Sequence, residues 1–168
     1  MLCVIAKLPS EADERLRRLL AAVLQENAAD ASLYGHITVA TYLPEDDGPF
    51  VRACSEMLRG CRSFAVRYET IRTLSETSVI AAIPGKNSAL ASLHRKIAKE
   101  YGPFLDRWTC GDEWVPHTTL MHDPAADLER ICREMNRIFV PFETRIGRIE
   151  FSRVGEDGFR ILDSVTLE

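Results

Sequence analysis

The sequence predicts a two-lobed α+β fold in which two antiparallel β-sheets line a central cleft and helices cover their outer faces. Three observations carry that expectation. The 168 residues are 46% hydrophobic and 27% charged, with only 9 glycines and 8 prolines, which is the composition of a folded unit. The elements run strand, helix, strand, helix, strand, and the same five then recur with one extra strand, giving pseudo-repeats of about 1–75 and 76–168 within a single domain spanning 1–168. The second strand of each repeat carries the same signature, His-x-Thr followed by an apolar residue.

Each element has its own local warrant. Leu2 to Lys7 is an apolar strand, and Ser10 with Asp13 three residues on forms a variant capping box. Leu16, Leu19, Leu20, Val23 and Leu24 then fall at three-and-four spacing, one stripe of a helix from Glu11 to about Glu26. His36 to Leu43, rich in β-branched residues and halted by Pro44, reads as the second strand. Pro49 suits the first turn of a helix that ends before Gly60, and Phe64, Val66 and Tyr68 alternate in a third strand toward Leu74.

The second repeat begins with a strand at Ser78 to Ile83 and a turn at Pro84-Gly85. Leu90, Leu93 and Ile97 mark one side of a helix from Asn87 to the stop at Gly102-Pro103. Val115 to Met121 is the next strand, and Asp123-Pro124 caps a helix lined by Leu128, Ile131, Met135 and Ile138. Phe142 to Phe151 and Phe159 to Leu167 are the closing strands, joined through Gly155-Glu156-Asp157-Gly158.

Composition also narrows the function. A net charge of -4 argues against coating long nucleic acid and leaves a short end or a small nucleotide as the better nucleic-acid partner. Cys3, Cys54, Cys61, Cys110 and Cys132 are an odd set without a Cys-x-x-Cys pair, so reduced cytoplasmic thiols are expected in place of disulfides or a thiolate zinc site. No apolar run approaches the roughly 20 residues of a membrane span, and Met1 to Lys7 lacks the pattern of a signal peptide. No membrane association, cofactor, metal or obligate protein partner is expected.

The twin motif is where chemistry concentrates. Side chains alternate along a strand, so His36 and Thr38 share one face while Ile37 and Val39 take the other, and His117 and Thr119 behave alike. If the halves are related by a pseudo-twofold, their second strands present two imidazoles and two hydroxyls across a groove. A pKa of about 6.5 lets one ring be neutral and the other protonated near neutral pH, and the hydroxyls can donate to phosphate oxygens. The alternative role for the pair is that of hydrogen-bonded core or edge histidines. His122, an odd five residues past His117, falls on the opposite face of a regular strand, and His94, beside Leu93 and Arg95, is expected at the surface.

Val115-Pro116-His117-Thr118-Thr119-Leu120 and His36-Ile37-Thr38-Val39 resemble the two motifs of the two-histidine (2H) phosphoesterases, the family of 2′,5′ RNA ligase-like proteins and cyclic nucleotide phosphodiesterases. The resemblance covers essentially the whole chain in element order. It implies a bilobal, duplicated α+β fold with a cleft between lobes, His36 and His117 as general acid and base, and Thr38 and Thr119 as phosphate-binding residues. A nucleotide or RNA terminus is the expected substrate, with a 2′,3′-cyclic phosphate or a 2′,5′ linkage as the reacting group. The alternatives are a non-catalytic RNA-end or nucleotide-binding module, RNA 2′,5′ ligation and, last, a metal-dependent hydrolase.

Met121-His122-Asp123 follows the second motif where many bacterial members place a basic residue, and Ala40-Thr41-Tyr42-Leu43-Pro44 follows the first. These departures bear on substrate. Lys7, Tyr42, Trp114 and Arg153 are the candidate further substrate contacts; Arg145 and Arg148 extend a candidate cationic rim, and one of Tyr101, Phe104, Trp108 and Trp114 could stack on a base.

Overall fold

The computed structural model describes residues 1–25, 34–74, 76–111, 114–155 and 158–168. Its elements in chain order are β1 (Leu2–Lys7), α1 (Ser10–Leu24), β2 (His36–Tyr42), α2 (Gly48–Leu58), β3 (Phe64–Thr73), β4 (Val79–Pro84), α3 (Ser88–Tyr101), β5 (Thr118–His122), α4 (Leu128–Ile138), β6 (Phe142–Ile146), β7 (Arg148–Gly155) and β8 (Gly158–Thr166). The strands form two antiparallel sheets of four, ordered β2-β1-β7-β8 and β5-β4-β3-β6. This is the expected α+β architecture with its sheet duplicated.

The sheets do not follow the two halves of the sequence. β3 pairs with β4, whereas β7 pairs with β1, so each sheet takes its third strand from the other half. The stretch Phe142 to Phe151, expected as one strand, divides at Gly147. Phe142–Ile146 joins β3 in one sheet and Arg148–Gly155 joins β1 in the other, so two strands follow the second five-element unit.

Apolar faces of both sheets share one buried cluster with the helices, running from Val4, Ile37 and Leu16 through Leu58 and Leu90 to Ile80 and Met135. Truncating a fully buried member such as Ile37 to alanine costs about 2–5 kcal/mol.

Four local expectations are corrected. Pro9, not Ser10, stands at the cap of α1 and makes no side-chain cap bond; Asp13 is turned instead toward Gly35, whose N–H donates to Oδ1 at 2.8 Å. Asp127 caps α4 by accepting from Arg130 N–H at 3.0 Å, while Asp123 accepts from Ala125 N–H and closes a turn before it. β5 begins at Thr118 and not at Val115, for Pro116 has no N–H to give a strand ladder. Ile138, expected to line α4, is exposed at its end. Glu26, Glu156 and Asp157 lie outside the described residues.

Candidate active site

β2 and β5 are the edge strands of their sheets and approach each other across the cleft. Each carries a bulge at the same point of its motif. In β2 the register steps from Ile5↔Thr38 to Val4↔Ala40, leaving Val39 extra; in β5 it steps from Ala81↔Thr119 to Ile80↔Met121, leaving Leu120 extra. An extra residue shifts side-chain parity, so the fifth residue after each histidine returns to the histidine's face. Thr41 accordingly lines the cleft cavity, and His122, paired with Val79, which also lines it, stands on the His117 face. The expectation that His122 lies on the opposite face fails because β5 is not regular.

Both histidines are held in the same way. His36 Nδ1 lies 2.9 Å from the Tyr34 carbonyl and His117 Nδ1 lies 2.8 Å from the Val115 carbonyl, each two residues upstream. A carbonyl oxygen only accepts, so both Nδ1 atoms carry the proton and both Nε2 atoms are left for proton transfer. The rings are close enough to interact. Burial is the largest influence on His36 and lowers its pKa below the ordinary 6.5; the Tyr34 carbonyl opposes this, the charge of His117 adds to it, and Asp13 and Glu150 oppose it. Gly35 keeps the space beside His36 tight: a Cβ there would stand 2.8 Å from Asp13 Oδ1 and 2.9 Å from Leu8 Cδ1, so those side-chain ends would have to shift.

The cleft holds a cavity of about 510 Å³ lined by Thr38 and His117 from the motifs, with Thr41, Arg72, Trp108 and Trp114 among the other walls. His36 and Thr119 are not among the lining residues. They stand on the same strand faces, half-buried and exposed respectively. Trp114 lines the cavity; its Nε1 donates to the Thr38 carbonyl at 2.9 Å and its ring stacks on His94 at 4.1 Å. His94 is itself buried, with Nδ1 2.9 Å from the Val39 carbonyl and Nε2 3.3 Å from the Gly111 carbonyl, contrary to the surface position expected. The warning was in the spacing, since position 94 is four past Leu90 and three before Ile97, on the buried stripe.

The other candidate contacts are spread more widely. Lys7 stands opposite His36 in the β1–β2 register, 3.5 Å from Glu150 and 4.2 Å over the Tyr34 ring. Tyr42 stacks on Phe50 at 4.2 Å, away from the cavity walls. Arg153 is tied to Asp47, its Nε donating at 3.0 Å, and Arg145 bonds Ser63. Arg148 pairs with Glu150 at 2.8 Å. Phe104 and Tyr101 pack around Tyr42, whereas Trp108 stands 45% exposed on the cavity wall with the Arg107 guanidinium over its ring at 4.1 Å.

Arg72 is the wall residue that sequence reading missed. Its position is set by pairing between halves of the chain, and no local pattern marks it. Among the described residues no group of three or more His, Cys, Asp or Glu is placed to hold a metal ion. None of the described helices is long and apolar enough to cross a membrane.

The fold is similar to that of proteins of known structure. Protein TT0787 of Thermus thermophilus superposes with a TM-score of 0.68 at 16% identity, covering 99% of this chain and 97% of that one. E. coli LigT, solved in complex with 3′-AMP, superposes with a TM-score of 0.67 at 13% identity over 99% and 97%. Usb1 of Kluyveromyces marxianus gives 0.53 at 10% identity over 96% of each chain. No curated protein sequence matches. The 2′-5′ RNA ligase superfamily model matches residues 8–158, and the chain belongs to that superfamily, within the two-histidine phosphoesterases.

Proposed function

We propose that the chain is a metal-independent phosphodiesterase that opens a 2′,3′-cyclic phosphate, or cleaves a 2′,5′ phosphodiester, at a nucleotide or RNA end. The observation that carries the reading is the matched anchoring of His36 and His117, each with Nδ1 at a carbonyl, which leaves Nε2 for proton transfer. His36, whose burial favours the neutral ring, takes a proton from the attacking water as its oxygen bonds to phosphorus. The bond from phosphorus to the leaving ribose oxygen breaks, and the His117 imidazolium gives that oxygen its proton. Thr38 and Thr119 donate to the non-bridging oxygens, where charge accumulates. Trp108 supplies a stacking face for the base. LigT, a structural neighbour, has been solved with 3′-AMP, which supports a nucleotide in such a cleft.

The test is a panel of 2′,3′-cyclic mononucleotides and 2′,5′-linked dinucleotides with wild type, His36→Ala and His117→Ala, all in EDTA. Turnover by wild type and its loss in both variants is the expected result. Activity abolished by EDTA, or retained in both variants, overturns the mechanism; absence of turnover with binding intact favours a binding module.

A further inference from the structure

Two cross-strand rows floor the cleft, one from each sheet. In the first, Thr38 of β2, Ile5 of β1 and Glu150 of β7 are register partners; in the second, Thr119 of β5, Ala81 of β4 and Arg72 of β3 are. Partners across antiparallel strands share a face, and Arg72 does line the cavity. The rows match over three strands and carry opposite charges at the third, the first running on to Ser164 of β8. Glu150 is fully buried and neutralised by Lys7 and Arg148, with Tyr34 donating to it. Arg72, by contrast, has no ion-pair partner among the described residues. The cavity carboxylate Asp106 accepts from Thr109 N–H and Oγ1 at Oδ1, both at 2.8 Å, and forms no ion pair with Arg72.

We propose that Arg72 binds a second phosphate of the substrate, one ribose away from the phosphate that reacts. The inference rests on the phosphodiesterase reading and narrows its substrate to nucleotide ends that carry this further charge. Strands lie about 4.8 Å apart, so the Arg72 Cα stands roughly 10 Å from that of Thr119, two strands in from the edge where the reacting phosphate is held. The phosphates of a nucleotide flank its ribose. With one phosphate at the motif threonines and the base against Trp108, the other points along the cavity toward β3. A guanidinium fork there makes paired, charge-assisted bonds to phosphate oxygens.

The experiment compares a 2′,3′-cyclic nucleoside monophosphate having a free 5′-hydroxyl with the same compound bearing a 5′-phosphate. Wild type is expected to show a kcat/KM ratio roughly ten- to hundredfold in favour of the 5′-phosphate, the effect of one charge-assisted contact. In Arg72→Ala the ratio falls toward one, and Arg72→Lys, which keeps the charge without the fork, recovers it in part. A ratio near one in wild type, or the same ratio in Arg72→Ala, overturns the proposal. Equilibrium binding of adenosine 3′,5′-bisphosphate against adenosine 3′-monophosphate reads the same ratio without turnover. Loss of turnover with that binding ratio preserved therefore removes the catalytic reading while leaving the Arg72 site standing.

Discussion

β2 and β5 present one plan twice: an edge strand, a histidine anchored to the carbonyl two residues back, a threonine two residues on, and a bulge at the third. Two strands inward the halves differ: Glu150 sits in a buried ion cluster, and Arg72 stands on the cavity wall with no ion pair among the described residues. His36 is the more enclosed ring, with Lys7 and Tyr34 beside it, whereas His117 opens onto the cavity. The duplicated backbone thus supplies two imidazoles anchored alike, and the charged groups around them differ. Behind His36 lies a self-paired ion cluster, Glu150 with Lys7 and Arg148, whereas Arg72 of the other sheet makes no ion pair among the described residues.

The sharpest way to break the comparison is to remove one member of the pair. His36→Ala and His117→Ala should each lower kcat about 100- to 10,000-fold, and the double variant should cost far less than the product of the two. A multiplicative double effect, measured in EDTA, would show the rings acting independently. The two rings should also part in pH dependence. His36 has a depressed pKa, so its neutral, base-competent form persists below pH 6.5 and the acid limb of kcat/KM should lie below that value. An acid limb above 6.5 would exchange the roles assigned to the two histidines.

Thr38→Val and Thr119→Val each remove one donor to the charged phosphate and should cost roughly ten- to hundredfold in kcat/KM, equally if the halves are equivalent. The third residues of the rows should separate stability from specificity. Glu150→Gln leaves Lys7 and Arg148 without their buried counter-charge and is expected to cost roughly 1–3 kcal/mol in urea unfolding. Arg72→Gln, at an exposed position, should stay within about 0.5 kcal/mol of wild type. Comparable losses from both would mean Arg72 is structural. Trp114→Phe gives up the bond to the Thr38 carbonyl, at about 1 kcal/mol, and should shift Thr38-dependent rates more than Thr119-dependent ones.

Much of this was readable along the chain because it depends on near neighbours. The leucine stripe of α1, Pro49 at the start of α2 and the start of α3 at Asn87 report torsional preferences and spacing, and both His-x-Thr motifs are visible as written. His94 was misplaced although its spacing carried the answer, since a polar residue on an apolar stripe reads as an interruption until two carbonyls are found waiting for its ring nitrogens. His122 was misplaced for want of any sequence mark of the Leu120 bulge.

What the amino-acid order by itself determined is the succession of elements and the pair of imidazoles, for these follow from side-chain periodicity, proline and glycine torsions and the alternation of strand faces. Only the tertiary structure decided that β3 and β7 change places between sheets, that Gly147 divides two strands, and that Glu150 and Arg72 hold the third places of matching rows. The physical reason is that strand ladders are joined by backbone N–H and C=O groups common to every residue. Which distant strand completes a ladder is settled by the packing of the whole molecule, and with it which charged groups stand around the two histidines.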